Sequence, residues 1–197
     1  NIGYHNDEFT SWVTNVHALT VDSNNNIYFT ENGDGKIYKV DPSGNLSFIA
    51  GSTSGFQDGI GNISKFDRPL GIAVNNTGEI FVSDYGNNRI RKIDSVGNVS
   101  TYAGNGGQGS TDGISSSASF NNPKGIALDS NGNLFVADSG NHLIRKIDTN
   151  SMVSTYAWNR SQGDNDGHRF EASFSSPDGV TVDDHNNVFV SDRSNKK

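Results

Sequence analysis

Cysteine is absent from this chain of 197 residues, so neither a disulfide framework nor a thiolate metal site can be built, and the redox compartment leaves no mark. Proline is scarce, with four residues, and apolar residues make up only 32% of the sequence. No run approaches the roughly 18 apolar residues of a membrane span, which predicts a soluble chain with no membrane insertion. Basic residues are in the minority: 15 Lys and Arg against 22 Asp and Glu give a formal charge of −7 and a pI near 5.0. Phosphate backbones and anionic bilayers demand the opposite balance, so no nucleic-acid partner is expected. Methionine occurs once, at Met152, and the chain starts at Asn1, so a processed product or a fragment is expected. Plentiful instead are Gly, 23 residues, together with Asn and Ser, which suits short strands joined by many turns. Asn-x-Ser/Thr triplets begin at Asn45, Asn62, Asn75, Asn98 and Asn159. So many Asn, Ser and Thr yield about this number by chance, and the triplets carry no weight.

Three stretches superimpose without a gap: Pro69-Leu-Gly-Ile-Ala-Val to Asp84, Pro123-Lys-Gly-Ile-Ala-Leu to Asp138, and Pro177-Asp-Gly-Val-Thr-Val to Asp192. Each step is 54 residues, counted from either the Pro or the Asp. A degenerate copy, Val16-His-Ala-Leu-Thr-Val to Glu31, precedes them one residue short of the period. A fixed period of this size signals a repeat architecture. Features common to every copy serve the fold, so function is to be sought where the copies differ.

One copy predicts four strands. Gly125-Ile-Ala-Leu-Asp129 and Leu134-Phe-Val-Ala-Asp138 are apolar on both faces, as strands between neighbouring sheets should be. Leu143-Ile-Arg-Lys-Ile-Asp148 and Met152-Val-Ser-Thr-Tyr-Ala157 alternate, as peripheral strands do. Turn clusters separate them, giving an all-β antiparallel meander with an increasingly polar outer edge: a β-propeller blade. A crossover follows each fourth strand and ends in Phe66, Phe120 or Phe174, read as plugs between blades. Gly71, Gly125 and Gly179 lie just beyond, where inner strands crowd the axis and a side chain would clash. The blades are placed at about 16–51, 69–104 and 123–158, with a half blade at 177–197, in one region spanning 1–197. Three and a half blades fall short of the roughly four to eight that close a ring, so an open arc is expected, completed by missing blades or by a second copy.

These residues carry a resemblance. Pro-x-Gly-Ile-Ala-Val/Leu from Pro69 and Pro123, Asn131-Gly-Asn-x-Phe-Val-Ala-Asp138 and Gly140-Asn-x-x-Ile-Arg-Lys-Ile147 resemble the NHL repeat. The long form with Asp-Gly…Ala-x-Phe-x-x-Pro crossovers is similar to propellers of secreted and cell-surface bacterial proteins. The resemblance implies an NHL β-propeller and a secreted or surface location. It leaves function open among protein-, RNA- and ligand-binding modules and a few metal-dependent lyases and lactonases.

The candidate chemistry is sparse. Asp84, Asp138 and Asp192, with Glu31 in register, end each second strand and are read as turn acceptors. Asp22-Ser-Asn-Asn-Asn26 and Asp129-Ser-Asn-Gly-Asn133 mimic a calcium loop but lack its sixth-position Gly and final acid, so they read as hairpin turns. Gly104-Asn-Gly-Gly-Gln-Gly109 matches a dinucleotide fingerprint with no helix to follow it. In lyases that resemble NHL proteins, zinc-binding His residues follow the Pro that opens the inner strand. Those places hold His17, Leu70, Lys124 and Asp178, one His in four. His142 is read as lying in an outer loop, and His5, His168 and His185 share no register. Neither catalytic residue, metal nor cofactor is expected. Arg89, Arg91, Lys92, Arg145 and Lys146 are read as scattered around a rim. The crossovers and the turns between second and third strands open on one face, which presents His17, Leu70, Lys124 and Asp178, then Glu31 to Asp34, Tyr85, Ser139 and Arg193. This mixture suits recognition of a protein or glycan by a non-catalytic binding or scaffold module. A metal-dependent lyase or lactonase with its site at the central channel is the alternative.

Overall fold

The computed structural model describes residues 13–159 and 161–197. Strands β1 (Val16–Val21), β2 (Ile27–Glu31), β3 (Lys36–Val40) and β4 (Leu46–Ala50) form the first antiparallel sheet in sequence order. The second sheet holds β6 (Pro69–Val74), β7 (Ile80–Asp84), β8 (Arg89–Ile93) and β9 (Asn98–Ala103). The third holds β11 (Pro123–Leu128), β12 (Leu134–Asp138), β13 (Leu143–Ile147) and β14 (Met152–Ala157). β15 (Pro177–Val182) and β16 (Val188–Asp192) pair as a two-stranded sheet. The described residues are thus an arc of propeller blades. Their helical content is limited to three-residue turns at Gly61–Ile63, Tyr85–Asn87 and Ser139–Asn141.

The first two crossovers each add a strand that alternation could not reveal. β5 (Gly59–Ile60) pairs with β9, and β10 (Gly113–Ile114) with β14. The crossover therefore runs first to the outer edge of the next blade, covers it, and then descends to the inner strand. A covered edge does not recruit foreign strands.

The apolar residues of the first two strands stack blade on blade. Phe66 is sealed between the first and second blades with Ile37, Ile72 and Ile93, and Phe120 between the second and third with Ile90, Ile126 and Ile147. β1, β6, β11 and β15 lie side by side around the axis. A Cβ on Gly71 would strike the Lys124 carbonyl, and one on Gly125 would sit 2.7 Å from Gly179 Cα. The same strands bulge early, between Pro69 and Ile72 and between Pro123 and Ile126. Thr30 and Ser83 stitch these bulges: Thr30 Oγ1 donates to Leu70 O, and Ser83 Oγ accepts Gly71 N–H and donates to Lys124 O. Ala137 holds the corresponding place in the third blade, where this stitch is lost.

Candidate binding face

Three turns and a crossover per full blade leave two ends of the arc covered by loops, and one end gathers the crossovers and the turns after β2, β7, β12 and β16. Register dictates this, because Pro69 pairs with Asp84, Pro123 with Asp138 and Pro177 with Asp192. The chain enters each inner strand through a residue in the left-handed region: Asn15, Arg68, Asn122 and Ser176, with φ of 57°, 52°, 52° and 57°. None is glycine, so a neighbouring contact must hold each there. Asn88 Oδ1 accepts Asn122 N–H at 2.9 Å, and His142 Nδ1 accepts Ser176 N–H at 2.9 Å. Accepting at Nδ1 places the ring proton of neutral His142 on Nε2. His142 is thereby a latch between blades, and its ring is not spare for a ligand at Nδ1.

The face rests on a buried polar frame. Asp84 and Asp138 are sealed from water. Asp138 Oδ1 accepts Asn121 N–H at 2.7 Å, while Oδ2 accepts Asn141 Nδ2 at 2.8 Å and Arg145 Nη1 at 3.2 Å. The carboxylate therefore ties the crossover to the turn as well as the turn to the blade. Arg145 continues through Nη2 to Thr111 O and Asp112 Oδ1, at 2.9 and 2.7 Å, with its guanidinium 5.1 Å from the Phe120 ring centre. Arg91 repeats the arrangement with Asp84, Asp58 and Phe66. Arg91 and Arg145 are fully buried, which corrects their placement on a rim. An alternating strand suggests a solvated side chain there, and only the matching 54-residue steps of Asp58/Asp112 and Arg91/Arg145 could have paired them. Burial pushes the Asp138 carboxyl up to about 6 against the hydrogen bonds that oppose it, and raises that of Asp84 by the same cause.

Over this frame the variable residues are distributed unevenly. Lys124 Nζ of β11 meets Asp178 Oδ1 of the neighbouring β15 at 2.6 Å, both half-buried. His17 is exposed, with Nδ1 3.2 Å from Leu70 O. The half-buried Tyr85 lies beneath the Arg68 guanidinium, 4.9 Å from its ring centre. Arg193 is exposed on the half blade. Leu70 and Ser139 are only 9% and 4% exposed and belong to the packing under the face. Glu31 is also spent internally, accepting Gly33 and Asp34 N–H at 2.8 and 3.0 Å. Arg68 escaped the sequence reading because it falls outside the strands. Its αL backbone, shared with Asn15, Asn122 and Ser176, is what aims it at Tyr85.

The other motifs are accounted for locally. Asp129 Oδ1 accepts the Asn131 and Asn133 N–H groups at 3.0 and 2.8 Å, so its carboxylate closes its own turn, as does that of Asp22. Among the described residues no three His, Cys, Asp or Glu side chains are grouped to hold a metal. His5 lies outside the described residues. Among the described residues no helix is long and apolar enough to cross a membrane.

Known proteins share this architecture. The NHL repeat family model matches residues 66–93 and 120–147. Human NHL repeat-containing protein 3 is 31% identical over 140 residues, covering 68% of this chain and 38% of its own length. An auxiliary nutrient binding protein from Bacteroides thetaiotaomicron superimposes with a TM-score of 0.71 at 22% identity, over 88% of this chain and 44% of that one. Virginiamycin B lyase from Staphylococcus aureus does so with a TM-score of 0.60 at 20% identity, over 90% and 48%. The chain thus spans less than half the length of each of these proteins.

Proposed function

The chain belongs to the NHL-repeat family, and from that premise we propose that it is a non-catalytic binding module. It recognises a protein or a glycan through the face where the crossovers meet the turns between second and third strands. The observation that carries this reading is a constant backbone frame displaying changing side chains. At the second residue of the inner strand stand His17, Lys124 and Asp178, with Leu70 packed beneath the face at the matching place, and at the αL entry stand Asn15, Arg68, Asn122 and Ser176. Packing alone would favour like residues at like positions, whereas recognition of a partner lacking the repeat favours different ones. The Lys124–Asp178 pair offers both signs of charge, and Arg68 over Tyr85 offers a flat cationic and aromatic platform. A secreted or cell-surface location belongs to the same proposal.

The test is a Tyr85→Ser, Lys124→Ser, Asp178→Ser triple variant. Partly exposed ion pairs contribute about 0–1 kcal/mol, so its melting temperature is expected to stay within a few degrees of wild type. Affinity for the protein or glycan captured by the wild type is expected to fall at least about tenfold, or about 1.4 kcal/mol. Equal capture by both proteins would remove this face from consideration. Metal content after dialysis, with lyase and lactonase assays on the same samples, reads the enzymatic alternative.

A further inference from the structure

The junction between the third blade and the β15–β16 half blade is open where the preceding junction is closed. Phe120, Leu134 and Val136 are fully buried between the second and third blades. Phe174, Val188 and Val190, one period later, are only half-buried. What closes the earlier junction is the third blade's outer hairpin, whose Ile147 and Val153 complete its apolar cluster. At the later junction their place is a concavity of about 420 Å³, walled by Phe174, Val188 and Val190 on one side and Ile144 and Tyr156 on the other.

The polar groups are set for the same occupant. Asp138 and Asp112 receive the two ends of the Arg145 guanidinium, and Asp84 and Asp58 those of Arg91. Their counterparts one period on are Asp192 and Asp166. Asp192 is buried and accepts Ser175 N–H at 2.9 Å and Asn195 Nδ2 at 2.7 Å, but no cation reaches it among the described residues. Asp166 meets only Lys197 Nζ, at 3.3 Å, and stays exposed. The backbone repeats the pattern. Gly61 N–H donates to Gly97 O and Ser115 N–H to Ser151 O, each reaching the outer hairpin turn of the next blade, and Arg169 N–H is the donor in register with them. The outward edge of β16 has no strand beside it among the described residues.

We propose that this junction is an acceptor site for a β-hairpin whose first strand reads aliphatic-Arg-x-aliphatic, as Ile90 to Ile93 and Ile144 to Ile147 do. That strand adds to the β16 edge with its arginine opposite Val190, as Arg91 stands opposite Val82 and Arg145 opposite Val136. The guanidinium spans Asp192 and Asp166 over the Phe174 ring, and aliphatic residues of both strands fill the concavity. Main-chain pairing supplies affinity, and the buried Asp192 carboxylate selects the cation, because an apolar hairpin would leave that charge unpaired.

The hairpin can be supplied on the chain itself. Lys197 holds the register of Leu143, so a copy of residues 144–157 grafted after Lys197 reaches the site. Amide exchange across Val188–Asp192 is expected to slow at least about tenfold on grafting. An Arg145→Gln change within the grafted copy, or Asp192→Asn in the host, is expected to lose most of that protection. Unchanged exchange after grafting overturns the proposal, as does equal protection by the glutamine graft. All exchange is compared at a protein concentration where the ungrafted chain is monomeric, and protection of Val188–Asp192 in that ungrafted monomer equal to that of the grafted chain also overturns the proposal, because the edge would then need no hairpin.

Discussion

Asp138 shows how a single carboxyl can be both structural and costly. It accepts from Asn121, Asn141 and Arg145 while sealed from water, and burial lifts its titration from 3.8 to about 6. A folded-state value above the unfolded one means the fold binds a proton more tightly than the unfolded chain does. The stability this contributes is fully present below about 4 and is lost as pH rises through 6. An Asp138→Asn variant keeps an acceptor for Asn121 N–H but does not titrate. Its deficit relative to wild type is therefore expected to widen between pH 7 and pH 4, by up to about 3 kcal/mol. Urea midpoints at the two pH values measure this. Carboxylates such as Asp41 and Asp183, held below their ordinary value by the side-chain amides of Asn45 and Asn187, lose their contribution only at lower pH and are common to both proteins. A gap that narrows on acidification would show that Arg145 keeps Asp138 ionised and would reverse the sign. The acid's tie to its turn was legible in the sequence because Asp84, Asp138 and Asp192 recur in step. Its partner was not: in an alternating strand a guanidinium reads as solvent-facing, and nothing local says that a crossover acid lies above it.

At the scale of the element, glycines and hydroxyls decide how closely inner strands approach. The recurring Gly71, Gly125 and Gly179 were legible as points of close approach, and the first two abut the neighbouring inner strand. The hydroxyl stitch and the bulge it secures were not, because Thr30 and Ser83 look like ordinary strand residues until Leu70 O and Lys124 O are in reach. β5 and β10 escaped for a different reason, since two residues are too few to show a period. Gly125→Ala is expected to force the β15 backbone away from β11, because the new Cβ would lie 2.7 Å from Gly179 Cα and 2.8 Å from Asp178 O. Overpacking of this kind costs about 1–3 kcal/mol. The shift should also lengthen the Lys124–Asp178 contact on the face above. Calorimetry together with a crystal structure of the variant checks both, and an unchanged melting temperature would show that the strands part freely.

For the whole molecule, repetition made the arc legible, but the identity of a partner stays outside any single repeat. The proposed binding face is the sum of unlike residues on like frames, and nothing in the period dictates which molecule they would fit. The ends of the arc are more explicit. Leu19, Val21 and Ile27 are 62%, 51% and 38% exposed, whereas the corresponding Ile72 and Ile80 are 5% and 3% exposed inside the first junction. At the other end Phe189 is 55% exposed, whereas Phe81 and Phe135 are 5% and 3% exposed inside the second and third. These are the two halves of one blade junction, separated at opposite ends of the same chain. Blades bury their apolar faces only against neighbours, so the isolated 197-residue chain is expected to associate end to end as concentration rises. Such a head-to-tail contact is heterologous: it closes if the rotation fits and otherwise runs into filaments. Light scattering should show mass increasing with concentration, with apolar-dye fluorescence falling in parallel. Leu19→Lys and Phe189→Lys, placed at opposite ends, should each suppress the association, because one altered half spoils every junction. A monodisperse monomer at all concentrations that binds no apolar dye would mean that the ends need no cover.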